Sequence, residues 1–508
     1  MLLCIVEKPS RIAPIRAQEL QGCRYKQVQR RRFPGTPPTE ASRHRARRKH
    51  TAVEAVTALL PTGPAIGDPR VRRFTRIRID PTQPDADLDT LEALAQGATL
   101  IEGAVLEGTH AGIAWRAEVE ILALLPEGTY LPVAVSNHRV ARPHPGARAP
   151  VISTRRLGLS QPHPEEYTLK YHSSDSFRLA LAARALQEYG LGGGLGALIG
   201  QDRHRVFLTP TAPFQHAVDN ALEAPTPPAP RRLKECASCR FWRHCEPMLR
   251  AADDLSLFLP GDRAQRFRDR GIETVTALAR ADLGEPSALA GAWQRGVPVL
   301  RRPSVTPPPR AEVEIDIDVE AYLDQGAYLW GTFDGREYRP FVTWEPLGGE
   351  AEARNFADFW CCLMERRAQA HAQGQTLRVY CYVRHGENHW LRSSARRLKG
   401  GPTEAEVRDF IRSEEWVDVF DSVTASLAGP CGLGLKTVAP QAGFSWRDRG
   451  FDGEESVNAY RVAVSLDEGD AEAARRLLLR YNEDDCLATA AVRDWLTRGA
   501  PGAEDLAV

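Results

Sequence analysis

The chain has 508 residues, of which 43% are hydrophobic and 26% charged, so it can bury more than one core and we expect two or three globular domains. No apolar run approaches the roughly 20 residues that a membrane-spanning helix needs, and the apolar residues 1–6 are followed at once by Glu7 and Lys8. We therefore expect a cytoplasmic protein with no membrane partner. The net charge is zero, with 66 basic and 66 acidic side chains, so any binding of nucleic acid must depend on local charge.

The N-terminal half contains a basic segment and two predictable elements. Residues 27–49 are rich in arginine and broken by PGTPP, which predicts an exposed basic loop leading into a helix at residues 51–60. This segment either contacts phosphate or is only a solvated surface. Two apolar runs between residues 115 and 140, separated by PEGT, predict a β-hairpin. Apolar residues at helical spacing predict a helix over residues 177–189.

Three cysteines, Cys236, Cys239 and Cys245, form a close cluster in the sequence. An intracellular protein keeps its thiols reduced, so the C-x2-C-x5-C spacing indicates metal ligation rather than a disulfide. The spacing fits an iron–sulfur cluster or zinc, with His244 as a spare zinc ligand, and leaves a fourth ligand to be found.

Proline-rich segments at residues 223–232 and 301–310 cannot continue a helix or a central strand, so they mark a surface crossing and a domain boundary. Between them, residues 255–281 predict two short helices, with Gly261 and Gly271 placed as in a helix-hairpin-helix. Such a module offers backbone amides to phosphate; an ordinary helical linker would have the same pattern. We predict three regions, residues 1–250, 251–300 and 311–500.

After residue 310 the pattern changes to strands followed by helices. The strands are EVEIDIDVE, AYLWGTF and LRVYCYV, and helices are predicted around residues 356–370 and over residues 471–498. This order is typical of an α/β core built on a mixed sheet.

The strand EIDIDVE places Asp316, Asp318 and Glu320 on one face, because side chains alternate along a strand. Three adjacent carboxylates repel one another, and no cationic residue neighbours them in sequence. This face is therefore either fully solvated or neutralised by hard divalent cations such as Mg²⁺ or Mn²⁺.

The last helix carries Asp485 inside an apolar stripe, where an unpaired carboxylate costs several kcal/mol. Tyr481 lies one turn earlier on the same face, where its hydroxyl could orient a water. An acidic strand and an acidic helix face together favour two-metal phosphodiester hydrolysis.

A family resemblance follows from these strings. DVE at residues 318–320 resembles the D-x-E of the first motif of DEDD exonucleases, and YNEDD at residues 481–485 resembles the Y-x-x-x-D of the third. With YLWGTF, EEWVDVFDSV and GLGLKTVAPQAGFSWRD, the region looks like the YprB-type ribonuclease H-like domain at the end of RecB-like putative nucleases. The resemblance implies a 3′–5′ exonuclease acting on single-stranded ends, DNA above all, with metal ligands Asp318, Glu320 and Asp485 and with Tyr481 positioning water.

The family also supplies an acid after the next core strand, and in YCYVRHGENHWL the best match is Glu387, a glutamate where the superfamily prefers aspartate. Asp418 is the alternative fourth acid, and in this fold it is more often a supporting residue, as Asp316 would be. Lys436 either touches phosphate or is a surface lysine.

The N-terminal segment LQGCRYKQVQRRR resembles that of RecB-like and CRISPR-associated RecB-like nucleases. This resemblance implies a 4Fe-4S cluster held by Cys23 together with the three later cysteines, with zinc as the alternative. It also implies a PD-(D/E)XK fold, whose E-x-K would fall on Ala134 and Ser136 while Glu118 falls near the first aspartate. Neither alanine nor serine can hold magnesium or stabilise phosphate charge, so we expect a degenerate, inactive nuclease domain that binds DNA or shapes a channel. His50 and Glu54 are then structural.

Three functional hypotheses remain at this stage. The first is the metal-dependent exonuclease, and the second is a catalytically inactive nucleic-acid-binding or adaptor protein in DNA repair or processing. The third places the activity in the N-terminal domain through Glu118. A helicase partner is a further prediction, since the chain has no G-x-x-x-x-G-K-[ST] string of its own.

Overall fold

The structure is a computed structural model that describes residues 13–64 and 74–507. The chain forms two compact units, Met1–Leu249 and Arg250–Val508, and each is described by itself. No helix among the described residues is long and apolar enough to cross a membrane.

The N-terminal unit is built on a nine-stranded mixed sheet with the order β2-β3-β4-β5-β10-β11-β7-β8, to which β1 adds beside β4, and a separate pair, β6 and β9. The predicted hairpin is present, because β4 and β5 pair antiparallel. The strands are β1 Ile15–Arg16, β2 Arg76–Arg78, β3 Leu100–His110, β4 Ile113–Leu124, β5 Tyr130–Val135, β6 Ala141–Pro143, β7 Ala149–Ser153, β8 His163–Glu165, β9 Tyr167–Leu169, β10 Leu195–Ile199 and β11 Arg205–Pro210.

Helices cover both faces of this sheet, with α2 packed on one side and α3 and α4 on the other. The prediction of a basic loop over residues 27–49 was wrong, because most of this segment is helical. Thr39 caps α2 by accepting a hydrogen bond from the Ser42 amide at 3.2 Å, and arginine favours helix once a cap is available. The helices are α1 Lys26–Arg32, α2 Glu40–Leu59, α3 Ala86–Ala95, α4 Ser173–Glu188, α5 Ala212–Glu223 and α6 Trp242–Ala251.

The C-terminal unit begins with three short helices, α7 Gln265–Arg268, α8 Val275–Ala279 and α9 Glu285–Arg295. Gly261 and Gly271 both adopt positive φ, at 68° and 77°, so the turns at both positions favour glycine. The helix-hairpin-helix role of this segment stays a prediction.

A five-stranded sheet with the order β15-β14-β13-β16-β17 forms the centre of this unit. The first three strands in sequence are antiparallel, and β16 and β17 add parallel to β13 and to each other. The strands are β12 Leu300–Arg301, β13 Val313–Tyr322, β14 Gly326–Phe333, β15 Tyr338–Val342, β16 Leu377–Cys381, β17 Trp416–Asp418, β18 Leu427–Ala428 and β19 Glu504–Asp505; β12 pairs with β18 and β19 in a separate small sheet.

The two faces of the five-stranded sheet differ as the alternation of β13 predicted. Ile315 and Ile317 pack into an apolar core with Trp330 and α10, whereas the acidic residues of β13 face α16, which packs against the strand. The helices are α10 Glu350–Ala372, α11 His385–Arg397, α12 Glu404–Ile411, α13 Val419–Ser426, α14 Leu435–Val438, α15 Gly453–Ala463 and α16 Ala471–Thr497.

Candidate metal centre

Three carboxylates from two elements meet beside the central strand of the five-stranded sheet. Asp318 and Glu320 lie on one face of β13, and Asp485 lies on α16. One oxygen atom from each residue lies within 4.8 Å of the other two. A set of hard oxygen donors at this spacing suits Mg²⁺ or Mn²⁺, so the residues present fit a divalent cation.

Each of these carboxylates accepts a hydrogen bond from a neutral side chain. The pairs are Asn482 Nδ2 to Asp318 Oδ2 at 2.7 Å, Ser456 Oγ to Glu320 Oε2 at 3.1 Å, and Trp446 Nε1 to Asp485 Oδ1 at 2.7 Å. Neutral donors hold the carboxylates in place without cancelling their charge, as the partners of metal ligands commonly do. Sequence analysis missed all three donors; only Asn482, inside the YNEDD string, lay next to a recognised residue.

Asn482 forms a second hydrogen bond and lies against a glycine. The Tyr338 hydroxyl donates to Asn482 Oδ1 at 2.7 Å, so Asn482 bridges Tyr338 and Asp318. Gly331 lies opposite Asp318 in the β13–β14 pair. A Cβ atom at position 331 would lie 1.9 Å from Asn482 Oδ1. Glycine at this position therefore leaves the room that the bridge needs.

Burial and mutual repulsion raise the pKa values of the whole cluster. Burial, and then the charges of Asp485, Glu320 and Glu387, raise the pKa of Asp318 well above its usual value. Burial and the charge of Asp485 raise the pKa of Glu320 to about 8. Burial raises the pKa of Asp485 to about 6, and the Trp446 hydrogen bond opposes that rise. Carboxylates that resist ionisation together are the groups that bound cations would neutralise.

Tyr481 and Lys436 lie beside the cluster. Tyr481 is one turn before Asp485, lowers the pKa of its carboxyl group, and packs edge-on against Phe451 with ring centroids 4.9 Å apart. Lys436 is exposed, and its Nζ lies 4.8 Å from the centre of the Tyr481 ring while donating to the Phe451 carbonyl. Its charge lowers the pKa values of Glu320 and Asp485.

Glu387 and Asp418, the two candidates for a fourth acid, have different environments. Glu387 is in the first turn of α11, is buried, and has an Oε2 atom without a hydrogen-bond partner among the described residues. Burial raises the pKa of Glu387 to about 8. It acts electrostatically on Asp318 but lies outside the group whose atoms are within 4.8 Å of one another.

Asp418 is fully engaged with the backbone. Its carboxylate accepts hydrogen bonds from the amides of Val383, Arg384 and Phe420, each at 3.0 Å. Val383 has a φ of +67°, so Asp418 holds the strained turn from which α11 and Glu387 start. This arrangement agrees with a supporting role.

Asp316 has a cationic partner, Arg493, which is distant in sequence. The absence of a cation near the acidic strand therefore applies only to residues close to it in sequence. Asp316 is completely buried and accepts a hydrogen bond from Arg493 of α16. The same guanidinium lies 3.3 Å from Glu314 and 4.2 Å from the centre of the Tyr380 ring. Burial raises the pKa of Asp316 to about 7, although Arg493 opposes the rise. Asp316 thus belongs to a structural ion pair beside the metal centre.

The structure brings the four predicted cysteine ligands together in the N-terminal unit. Cys23, Cys236, Cys239 and Cys245 line one small cavity of about 10 Å³, and all four are free thiols. No three of their sulfur atoms lie within 4.8 Å of one another in the part of the chain that the structure describes. Burial raises the pKa of the Cys245 thiol to about 11. His244 stacks on Phe33 with ring centroids 3.9 Å apart.

The positions where the resemblance would place the E-x-K motif carry no acid–lysine pair. Ala134 is buried in an apolar cluster, and the Ser136 hydroxyl accepts a hydrogen bond from the His138 amide at 3.2 Å. Glu118 lies 3.4 Å from Arg116, and His50 forms an exposed ion pair with Glu54 at 3.2 Å.

A buried ion network lies next to these positions on β4 and β5. The Oε1 atom of Glu120 forms ion pairs with Lys49 at 2.9 Å and Arg178 at 2.7 Å. Its Oε2 atom accepts a hydrogen bond from the Val135 amide at 2.8 Å. Burial would raise the pKa of Glu120, but Arg178 and Lys49 hold it below its usual value. Glu120, the acid that β4 contributes to this network, therefore forms ion pairs with two cations.

Comparison with known families supports the ribonuclease H-like prediction for the C-terminal unit. Residues 317–497 match the family model described as RNase_H superfamily, a range that contains Asp318, Glu320, Glu387 and Asp485. The C-terminal unit therefore carries a ribonuclease H-like domain, which is a nuclease-type fold. No curated protein matches the chain.

Proposed function

We propose that the C-terminal unit is a metal-dependent 3′–5′ exonuclease of the DEDD, YprB-like type that hydrolyses phosphodiesters at single-stranded ends, with DNA as the preferred substrate. The observation that carries this proposal is the meeting of Asp318, Glu320 and Asp485 within 4.8 Å inside the segment matched to the RNase_H superfamily. Few other reactions need so many acids at one point on a sheet.

The chain's own residues divide the work as follows. Asp318, Glu320 and Asp485 would hold two divalent ions, and Glu387, whose charge acts on Asp318, would be the fourth acid. Bound divalent ions supply Lewis acidity toward water and the phosphate and offset charge at the leaving oxygen. Tyr481, fixed by Asp485 and Phe451, orients the attacking water with its hydroxyl.

The surroundings supply position and charge. Lys436 is the exposed cation at this site, and it attracts the phosphate that enters. Asp418 fixes the turn before α11 and so sets the place of Glu387. The neutral donors to the carboxylates preorganise them, which reduces the reorganisation that catalysis would otherwise require.

The N-terminal unit is proposed to be a degenerate PD-(D/E)XK domain closed by a 4Fe-4S cluster on Cys23, Cys236, Cys239 and Cys245. The four cysteines line one cavity, which supports their acting as a single ligand set, with tetrahedral zinc as the alternative occupant. A bound cluster would tie the segment before α1 to α6.

A second candidate function is a nucleic-acid-binding protein without catalysis. It is favoured by Glu387, which lies outside the group of mutually close ligands, and by Ala134 and Ser136 at the N-terminal motif. Salt-dependent binding with no metal-dependent cleavage would be its signature.

The test of the first proposal uses 5′-labelled linear single strands of DNA and RNA and internally labelled circular strands, incubated with Mg²⁺ or Mn²⁺. We expect a ladder that shortens from the 3′ end of linear DNA, no cleavage of circles, and no cleavage in EDTA. Asp318→Asn should remove the activity, and Asp448→Asn, an acid paired with Arg480 at 3.1 Å, is the matched control that should keep it. Binding without cleavage would establish the second candidate instead.

A further inference from the structure

The N-terminal unit has an arginine-lined cleft that none of the roles above uses. Its volume is about 620 Å³, and four arginines line it. These are Arg16, Arg30, Arg31 and Arg116. One acid, Glu118, shares the lining, so the cleft carries a net positive charge in a chain whose total charge is zero.

The arginines lie close enough to repel one another. Burial lowers the pKa of Arg30, Glu19 at 2.8 Å raises it, and the charges of Arg16, Arg31 and Arg240 lower it again. Arg16 and Arg31 are exposed and form no ion pair in residues 13–64 and 74–507. Acids pair with Arg30 and Arg116, through Glu19 at 2.8 Å and Glu107 at 3.2 Å. Arg16 and Arg31 are therefore the lining arginines whose charges a bound anion would neutralise.

The walls of the cleft suit a chain of phosphates more than a flat anionic surface. Pro14, Pro34, Pro81 and Pro84 line it along with Thr82 and Gln83, so the lining combines rigid apolar surfaces and hydrogen-bonding side chains with the guanidinium groups. Arg116 is fixed by Glu107 at 3.2 Å and by the Pro81 carbonyl at 2.9 Å. Arginine is the side chain whose planar donors match phosphate oxygens.

We propose that this cleft binds the phosphodiester backbone of a single-stranded nucleic acid, so that the N-terminal unit holds the strand on which the C-terminal unit acts. The proposal rests on the proposed function for the choice of nucleic acid. Glu118, where the resemblance places the first nuclease acid, also lines the cleft.

The test measures binding of a labelled 15-nucleotide oligothymidylate by fluorescence anisotropy in EDTA, where cleavage cannot occur. Arg16→Glu/Arg31→Glu should weaken binding at least tenfold and reduce the slope of log K against log salt by about 1.4, which is two phosphate contacts at about 0.7 each. Arg142→Glu, which reverses the charge of one exposed arginine outside the cleft, should leave affinity within twofold. Arg16→Lys/Arg31→Lys should recover most of the affinity and the slope.

Two outcomes overturn the proposal. Equal weakening by Arg142→Glu and by the cleft variant would mean that only overall charge matters. Inorganic phosphate or tripolyphosphate competing as strongly as the oligonucleotide would mean that the cleft binds small anions. Cleavage of a dinucleotide is measured in parallel: its absence in wild type would refute the exonuclease and leave the binding result valid, whereas normal cleavage with unchanged binding would refute the cleft alone.

Discussion

Gly331→Ala should destabilise the protein, chiefly through a clash with the side-chain oxygen of Asn482. The added methyl would lie 1.9 Å from Asn482 Oδ1 and 2.9 Å from Tyr338 Cε2. Asn482 is completely buried and bonded at both ends, so it cannot move without breaking the bridge to Asp318. We expect a loss of about 1–3 kcal/mol in the free energy of unfolding, as for other overpacked cores.

Asn482→Ala removes the amide that bridges Tyr338 and Asp318. It deletes a hydrogen bond to a carboxylate and leaves the Tyr338 hydroxyl without its partner, which together cost about 2–4 kcal/mol. In Gly331→Ala/Asn482→Ala the new methyl fills space that the amide has vacated. The double variant should therefore be within about 0.5 kcal/mol of Asn482→Ala, and the coupling energy should reach about 1–3 kcal/mol.

The assay is urea unfolding followed by tryptophan fluorescence. Eight of the ten tryptophans lie in Arg250–Val508, so the signal reports chiefly the C-terminal unit. Gly291→Ala in α9 is the matched control, because its methyl meets Arg295 at 3.5 Å, and we expect no loss. Displacement of Asp318 should also lower kcat/KM about 100-fold. Single-variant losses that add within about 0.5 kcal/mol in the double variant would refute the clash.

Three further predictions concern other parts of the molecule. Arg493→Met should cost about 3–5 kcal/mol of unfolding free energy in urea titrations, because it leaves Asp316 buried without a counter-charge, and Arg493→Met/Asp316→Asn should recover part of that loss. Mn²⁺ should raise the Tm of wild type measured by calorimetry, whereas Asp318→Asn and Asp485→Asn should raise the metal-free Tm and reduce the shift, because each removes one repelling charge. Cys245→Ser should abolish the visible absorbance of anaerobically purified protein, and elemental analysis that finds zinc instead of iron would contradict the cluster.

The metal prediction has a pH dependence whose sign follows from the pKa values. Glu320 and Glu387 have pKa values of about 8 in the folded protein against 4.5 ordinarily, so between pH 4.5 and 8 the folded state binds more protons than the unfolded chain. The stability of the metal-free protein should therefore fall as pH rises through this window. Added Mn²⁺ should flatten the fall, and a metal-free Tm that rises from pH 5 to 8 would contradict this.

Sequence periodicity predicted which acids share a face of the strand and of the helix. It did not predict the side chains that form hydrogen bonds with these acids. The period of two along β13 and the apolar stripe of α16 each placed carboxylates on a face, and the structure brings Asp318, Glu320 and Asp485 within 4.8 Å. Asn482, Ser456 and Arg493 lie more than a hundred residues from the acids they contact. Their pairing depends on tertiary packing that no local pattern encodes.

The error over residues 27–49 has a local cause. Proline and glycine at PGTPP correctly broke the chain between α1 and α2, but the arginines on both sides were taken as evidence of a loop. Arginine is a good helix former, and Thr39 provides the cap from which α2 starts. The prediction that this region carries basic surface, in contrast, agrees with the exposure of Arg31 and Arg43.

The measurement that tests the central claim most directly is digestion of 5′-labelled single-stranded DNA in Mn²⁺ by wild type and by Asp485→Asn. The amide keeps the size of the side chain and removes the charge of the only α16 acid in the group of mutually close ligands among the described residues. We predict progressive shortening from the 3′ end by wild type and at least a thousandfold slower shortening by the variant, in line with other losses of key catalytic groups. Equal rates for the two proteins would show that these carboxylates do not carry the reaction.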